Sequence, residues 1–159
     1  MPRSGFVRKR NILPDPIYGN LSVAHLINRS MKNGKKSAAE KQIYAALELI
    51  KQKTQKDPIE VFSQALDNIK PLMEVRSRRI GGAAYQIPVS VPADRRESLA
   101  IRWLIEAARK RSNKENHTFS EKLTAEIIAA TEKQGDAMKK RQDMEKMADA
   151  NKAFSHFRW

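Results

Sequence analysis

Between Asn20 and about Ala150 the apolar positions fall mostly three and four residues apart, the spacing of one helix face. Leu21, Ala24 and Ile27 mark a first helix that runs from a cap at Asn20 to about Met31. His25 lies close to that apolar face and reads as a core or boundary histidine. Lys32-Asn33-Gly34 is a turn, with Gly34 expected in the left-handed C′ position that ends the helix. A long second helix opens at Lys35-Lys36-Ser37 and carries Ala39, Ile43, Ala46, Leu47 and Ile50 on one side. Asp57-Pro58-Ile59-Glu60 combines a cap, a first-turn proline and a capping-box glutamate. The stripe Val61, Phe62, Ala65, Leu66 and Ile69 follows, and Pro71 stops this third helix. Pro92 starts a fourth, through about Arg111, with Leu99, Ala100, Trp103, Leu104 and Ala107 toward the core. Trp103 is a core anchor, since its neighbours one turn away are apolar; Arg95, Arg102, Glu106 and Arg109 point elsewhere. Thr118 and Glu121 box a short fifth helix with Leu123, Ile127 and Ala130. Gly135 marks a boundary or kink, and a charged sixth helix from Asp136 to about Ala150 turns Met138, Met144 and Met147 toward its apolar side as gap-fillers.

One stretch breaks the helical period. From Val75 to Val91 the apolar residues Tyr85, Ile87, Val89 and Val91 fall every second position, which is the period of a half-buried strand. Gly81-Gly82 before them reads as a tight hairpin turn, because glycine tolerates positive φ. The partner strand carries Arg76, Arg78 and Arg79. Pro88 cannot donate to a ladder and so needs an outward-facing edge position, which a two-stranded ribbon supplies. The expected architecture is mainly α. About six helices form one bundle-like domain, and a two-stranded β-hairpin arm protrudes between helices three and four. Residues 1–19 form a basic extension, 20–150 the helical domain with the arm at 75–91, and 151–159 a C-terminal tail.

Charge changes the picture more than length does. The chain has 159 residues, enough for one domain with a modest core. Lysine and arginine number 31 against 18 acidic residues, a net charge of +13. An excess of this size speaks about partners: nucleic acid first, an anionic membrane second. No helix pairs a basic face with a large aromatic apolar face, which argues against the membrane surface. With no cysteine, disulfides and thiolate metal sites are excluded. No apolar run approaches the ~20 residues of a membrane span, and no signal-peptide core follows the basic start. A soluble, intracellular protein is expected.

The candidate chemistry is binding, not catalysis. The three histidines, His25, His117 and His156, are scattered. No nucleophile elbow or dinucleotide fingerprint appears, and no cofactor or metal site is expected. Gly34-Lys35 invites comparison with a phosphate-binding loop, but Arg29 stands where that motif needs its first glycine. The turn does gather Arg29, Lys32, Lys35, Lys36 and Lys41 beside backbone amides at a helix start, which suits backbone phosphates. Arg109-Lys110-Arg111 and Lys114 load the end of the fourth helix in the same way. Arg3, Arg8, Lys9 and Arg10 stand in a segment interrupted by Pro2, Gly5, Pro14 and Pro16. It reads as a solvated tail or as an extension that orders on a polyanion, with a targeting peptide a weaker third reading because the segment is short and not amphipathic. In the tail, Phe154, Phe157 and Trp159 alternate with Lys152, His156 and Arg158. Such aromatics either stack on bases or pack against the body. A basic β-arm on a helical body also suits an architectural DNA-binding protein, although the tip Gly81-Gly82-Ala83-Ala84 lacks an intercalating wedge.

Four stretches carry a family likeness: Tyr18-Gly19-Asn20 to Lys35-Lys36, Glu74 to Ala83, Ala100 to Ser112, and Ala150-Asn151-Lys152-Ala153-Phe154. Together they resemble the bacterial small-subunit ribosomal protein family numbered seven, in order and over essentially the whole chain. Ser90 to Asp94 departs from the more charged version of the pattern, and Asn113 to Ser120 falls in a loop of variable length. The resemblance implies a helical protein with a β-arm that binds the 3′ major domain of 16S-type rRNA and nucleates assembly of the subunit head. It also implies contact with exit-site tRNA and the mRNA path, and neighbouring small-subunit proteins of the head and platform. The setting would be a ribosome, cytoplasmic or organellar, and no small-molecule substrate is implied. Carried over, the rRNA-binding residues are Arg3, Arg8, Lys9, Arg10, Lys32, Asn33, Lys35, Lys36, Arg76, Arg78, Arg95, Arg102, Arg109, Lys110 and Arg111. Those facing tRNA or mRNA are Arg79, Gly81, Gly82, Ala83, Lys140 and Arg141.

Overall fold

The computed structural model describes residues 11–157, so Arg3, Arg8, Lys9, Arg10, Arg158 and Trp159 lie outside the described residues. The elements follow the order read from the periodicity. Helices α1 (Leu21–Ser30), α2 (Lys36–Thr54) and α3 (Pro58–Ile69) lead into strands β1 (Met73–Ile80) and β2 (Ala83–Ser90). Helices α4 (Ala93–Lys110), α5 (Phe119–Thr131) and α6 (Asp136–Ala150) follow, and a 3-10 helix spans Lys152–Phe157. The mainly helical body with one hairpin between α3 and α4 is as expected.

The helix starts are built by the predicted chemistry. Asn20 accepts from the amides of Ser22 and Val23, and Asp57 accepts from that of Ile59. Thr118 and Glu121 form a reciprocal capping box, which holds the Glu121 carboxyl below its usual range through the Thr118 and His117 backbone amides. The end of α1 differs from expectation. Its cap is Met31 in an extended conformation, and Gly34 is not the C′ residue. Instead Asn33 and Gly34, at φ +52° and +73°, form their own two-residue turn, closed by the Lys35 amide on the Lys32 carbonyl at 3.0 Å.

Helix α4 is the axis. Beyond the expected stripe, Ile101, Ile105 and Ala108 are also buried, so its apolar surface covers most of its circumference. Such a helix has to be surrounded, and α4 touches α1, α3, α5 and α6. Phe62, Leu47, Ile50, Leu123 and Ile127 fill the space around it. One expectation about the periphery changes. Met147 is 50% exposed rather than on the apolar side of α6; Met138 and Met144 do face the core. Of the two readings of the tail, its described part follows packing against the body: Phe154 and Phe157 pack on Tyr85 of β2, with ring centroids 5.3 and 5.9 Å away.

A buried joint that periodicity does not reveal closes the body. Glu126 of α5 is 1% exposed. Its carboxylate accepts from Arg111 Nε at 2.7 Å and from the Ala137 amide, at the start of α6, at 3.0 Å. Gly135 precedes that amide at φ +96° and ψ 168°, a region open essentially to glycine alone. A Cβ there would stand 2.8 Å from Glu126 Oε1. Gly135→Ala is therefore expected to lower unfolding stability by about 1–3 kcal/mol. The urea midpoint should fall while the native far-UV spectrum stays helical; an unmoved midpoint would show that the joint tolerates the strain.

Candidate nucleic-acid interface

The Asn33-Gly34 turn lifts Lys32 and Lys35 to either side of a tight bend, with Lys36 opening α2 beside them. Lys36 stands 3.6 Å from Glu40 in an exposed pair, which adds little to stability. Arg109, from the last turn of α4, donates to the Ser30 carbonyl at 2.9 Å. That carbonyl belongs to the last turn of α1, so the guanidinium satisfies a helix end and is fixed beside the turn. A groove of about 310 Å³ opens where Lys32, Lys35 and Arg109 meet. Three of the expected cations, distant in sequence, thus line one concavity. Asn33, on the turn, and Lys110, at the end of α4, are exposed.

Arg95, Arg102 and Arg109 recur every seven residues along α4 and all three are exposed. Seven residues are nearly two full turns, so the three share one face, spread over roughly 21 Å of helix. At the start of the stripe stands Glu74 of β1, 4% exposed. It accepts from Arg76 Nε at 2.7 Å and from Arg95 Nε at 2.8 Å. Burial pushes its carboxyl up, but the two guanidinium hydrogen bonds outweigh that and hold it below the usual carboxylate range. Glu74 thus ties the base of the arm to α4 and spaces the two arginines whose outer halves face solvent.

The arm itself pairs Met73 with Ser90 and Ile80 with Ala83, so β1 begins two residues before the expected Val75 and β2 ends one residue before Val91. Gly81 and Gly82, at φ +57° and +89°, make the two-residue turn with both residues left-handed, as a type I′ turn requires. Directly opposed residues share a face. Arg76 opposes Ile87 and Arg78 opposes Tyr85 on one side, while Arg79 opposes Ala84 on the other. Pro88, opposite Val75, sits on the two-stranded ribbon as expected but is buried rather than exposed, and α6 packs against both strands. The distal arm, with Arg78, Arg79, Gly81, Gly82 and Ala83, is exposed. The 3-10 helix props it through Tyr85.

Three expected site residues have inward duties. Arg111 turns into the body to Glu126, with a further contact to the Ala125 carbonyl at 3.3 Å. Lys140 pairs with Glu106, and that hydrogen bond holds the Glu106 carboxyl below its usual range. Arg141 donates to the Asn68 carbonyl at 2.5 Å and to Glu145 at 2.9 Å. Lys140 and Arg141 are therefore tied to α4 and α3 respectively. Gln42 and Phe119 line the groove and were not singled out by sequence reasoning. The one signal for Phe119 is an aromatic residue directly after the Thr118 cap. His25 is the boundary residue expected, 3.4 Å from Glu97 across α1 and α4.

Before α1, Asp15 is buried and accepts from the amides of Ile17 and Tyr18 and from the Tyr44 hydroxyl. Burial and that hydrogen bond push the Tyr44 hydroxyl up to about 12. The contact pins the stretch before α1 to α2. Among the described residues no group of three His, Asp or Glu is placed to hold a metal ion, and no helix is long and apolar enough to cross a membrane. What the surface offers is a row of fixed and mobile cations.

The model of the family described as ribosomal protein S7p/S5e matches residues 2–152. The chain is similar to three proteins each named small ribosomal subunit protein uS7. It is 56% identical to that of Acetivibrio thermocellus, 55% to that of Caldicellulosiruptor saccharolyticus and 52% to that of a Sulfurihydrogenibium species. Each comparison covers all 159 residues of this chain and the full length of the relative.

Glu74 generates a pH signature. Its folded-state pKa is depressed, so its stabilisation is complete above the unfolded value of about 4.3 and is lost as pH falls through the folded value. Glu74→Gln should lower stability at neutral pH and flatten the acid limb of a plot of urea midpoint against pH. An acid limb as steep in the variant as in the parent would assign that limb to other carboxylates.

Proposed function

The chain belongs to the ribosomal protein S7p/S5e family and is a protein of the small ribosomal subunit, and we propose that it binds the 3′ major domain of 16S-type rRNA there and nucleates assembly of the subunit head. The observation that carries this reading is the row of cations from the Lys32–Lys35 turn, through Arg109, Arg102 and Arg95 on one face of α4, to Arg76 at the base of the arm. A row held at fixed intervals on a rigid helix suits a structured RNA. The deep groove of A-form RNA hides base edges, so such a ligand is recognised by shape and phosphate spacing. Affinity then comes from neutralised phosphates and released counterions. The basic residues Arg3, Arg8, Lys9 and Arg10 extend the same attraction.

The arm suits a second contact. Its tip is small and exposed, which lets backbone approach a ligand closely, and Arg79 supplies charge beside it. We infer that this tip faces exit-site tRNA and the mRNA path. The exposed apolar side chains Leu13 and Ile17 before α1 fit contact with neighbouring small-subunit proteins.

The test is binding to a transcript of the small-subunit rRNA 3′ major domain across a salt series, with duplex DNA and an unrelated folded RNA as competitors. Tight binding that resists both competitors and weakens with salt is expected; equal displacement by every polyanion would reduce the protein to a generic cation. Lys32→Ala with Lys35→Ala should leave the helical circular dichroism unchanged and make the log–log salt slope shallower by roughly 1–2. An unchanged slope would remove the turn from the interface.

A further inference from the structure

The groove at the meeting of α1, α2, α4 and α5 has features that phosphate binding alone does not use. One wall is Phe119, the first residue of α5, half-buried and packed on the core. Its place is set by the capping box immediately before it. Ala39, half-buried on α2, and Ala38 add apolar surface. Gln42 lines the same groove, and its carboxamide oxygen accepts from the Ser120 amide at 3.3 Å. That contact leaves the NH₂ group as the part of the amide able to serve a ligand. Lys32, Lys35 and Arg109 stand at the rim.

Three other cavities, of about 440, 480 and 320 Å³, each include a carboxylate in their lining: Asp94 in the first, Asp15 and Glu40 in the second, Asp57 in the third. In each of them a carboxylate offsets the cations of the lining. The groove beside Phe119 combines an aromatic wall, an amide donor and three cations, with no carboxylate among its lining residues. Its volume of about 310 Å³ is at the lower end of ordinary ligand sites, which suits one flat ring system rather than a large cofactor.

We propose that this groove takes up a single unpaired RNA nucleotide, with the base stacked on Phe119 and its flanking phosphates on Lys32 and Lys35. Stacking on an aromatic ring is how proteins hold unstacked bases, and every base has a face to offer. The Gln42 NH₂ then favours a base edge that presents an acceptor. Arg109, held to the Ser30 carbonyl, keeps the cationic rim in place when the nucleotide leaves. The site rests on the RNA-binding role proposed above, and it adds a contact to one extruded base that phosphate spacing does not supply.

The full chain can be tested by NMR, following the Ala38 and Ala39 methyl signals and the Phe119 ring signals. The probes are a short single-stranded RNA of mixed sequence, the same sequence as a blunt duplex, and inorganic phosphate. Only the single strand should give saturable ring-current shifts at all three residues. Phe119→Leu should bind that strand at least about fivefold more weakly, the lower end of what one stacked base contributes, and Phe119→Tyr should restore binding. Equal shifts from phosphate or from the duplex would overturn the base site and leave a phosphate patch. So would Phe119→Leu binding as tightly as the parent. If that variant does not fold, the comparison of the three probes on the unaltered chain decides alone. Loss of binding to the rRNA transcript would overturn the role above, whereas transcript binding with no single-strand response in the groove would overturn this site only.

Discussion

A helix with apolar residues around most of its girth must be enclosed, and α4 imposes that requirement on the whole molecule. Leu99, Leu104 and Ile105 point in different directions, and each direction needs a partner element. α1, α3, α5 and α6 are those partners. The enclosure has two open ends, and an arginine stands near each: Arg95 in the first turn and Arg111 just past the last. Each borders the core, and each meets a buried glutamate, Glu74 from the arm and Glu126 from α5. An unpaired charge in either place would be costly, so these contacts come as pairs or not at all. The same two pairs join elements distant in sequence: Glu74 links the arm to α4, and Glu126 links α4 to the start of α6 through the Ala137 amide.

This arrangement explains where the excess charge can go. Among the described residues the two most buried carboxylates that meet cations are those glutamates, and most of the remaining lysines and arginines lie at the surface. On α4 the one face left free of packing carries Arg95, Arg102 and Arg109. The α1–α2 turn and the arm then continue that face in opposite directions. A cationic track along a rigid helix follows from burying the other sides of the helix.

The arm is less independent than a two-stranded ribbon in solution, which is marginal on its own. Helix α6 packs against both strands, and the 3-10 helix sets Phe154 and Phe157 on Tyr85. The aromatic residues of the tail therefore steady the part of the arm that carries Arg78 and Arg79. Support of this kind lets a small glycine tip project to a fixed place while staying free of bulky side chains.

Local information was enough for the elements. Helical spacing, caps at Asn20, Asp57 and Thr118, and the Gly81-Gly82 turn lie within a few residues of what they determine, so the sequence by itself marked out six helices, the hairpin and their order. It also supplied the net charge of +13 and the family likeness. What it could not resolve was set by contacts across long separations. Pro88 is buried in an arm that α6 and the 3-10 helix contact, and Met147 is exposed although Met138 and Met144 of the same helix face the core. The same holds for the site. Arg111 and Arg109 are two residues apart and chemically alike, yet one turns inward to Glu126 and the other outward beside Ser30. The gathering of Lys32, Arg109, Gln42 and Phe119 around one groove was likewise decided only in three dimensions. Side-chain chemistry specifies which groups attract phosphate, but the packing of α4 among its neighbours determines which of them meet.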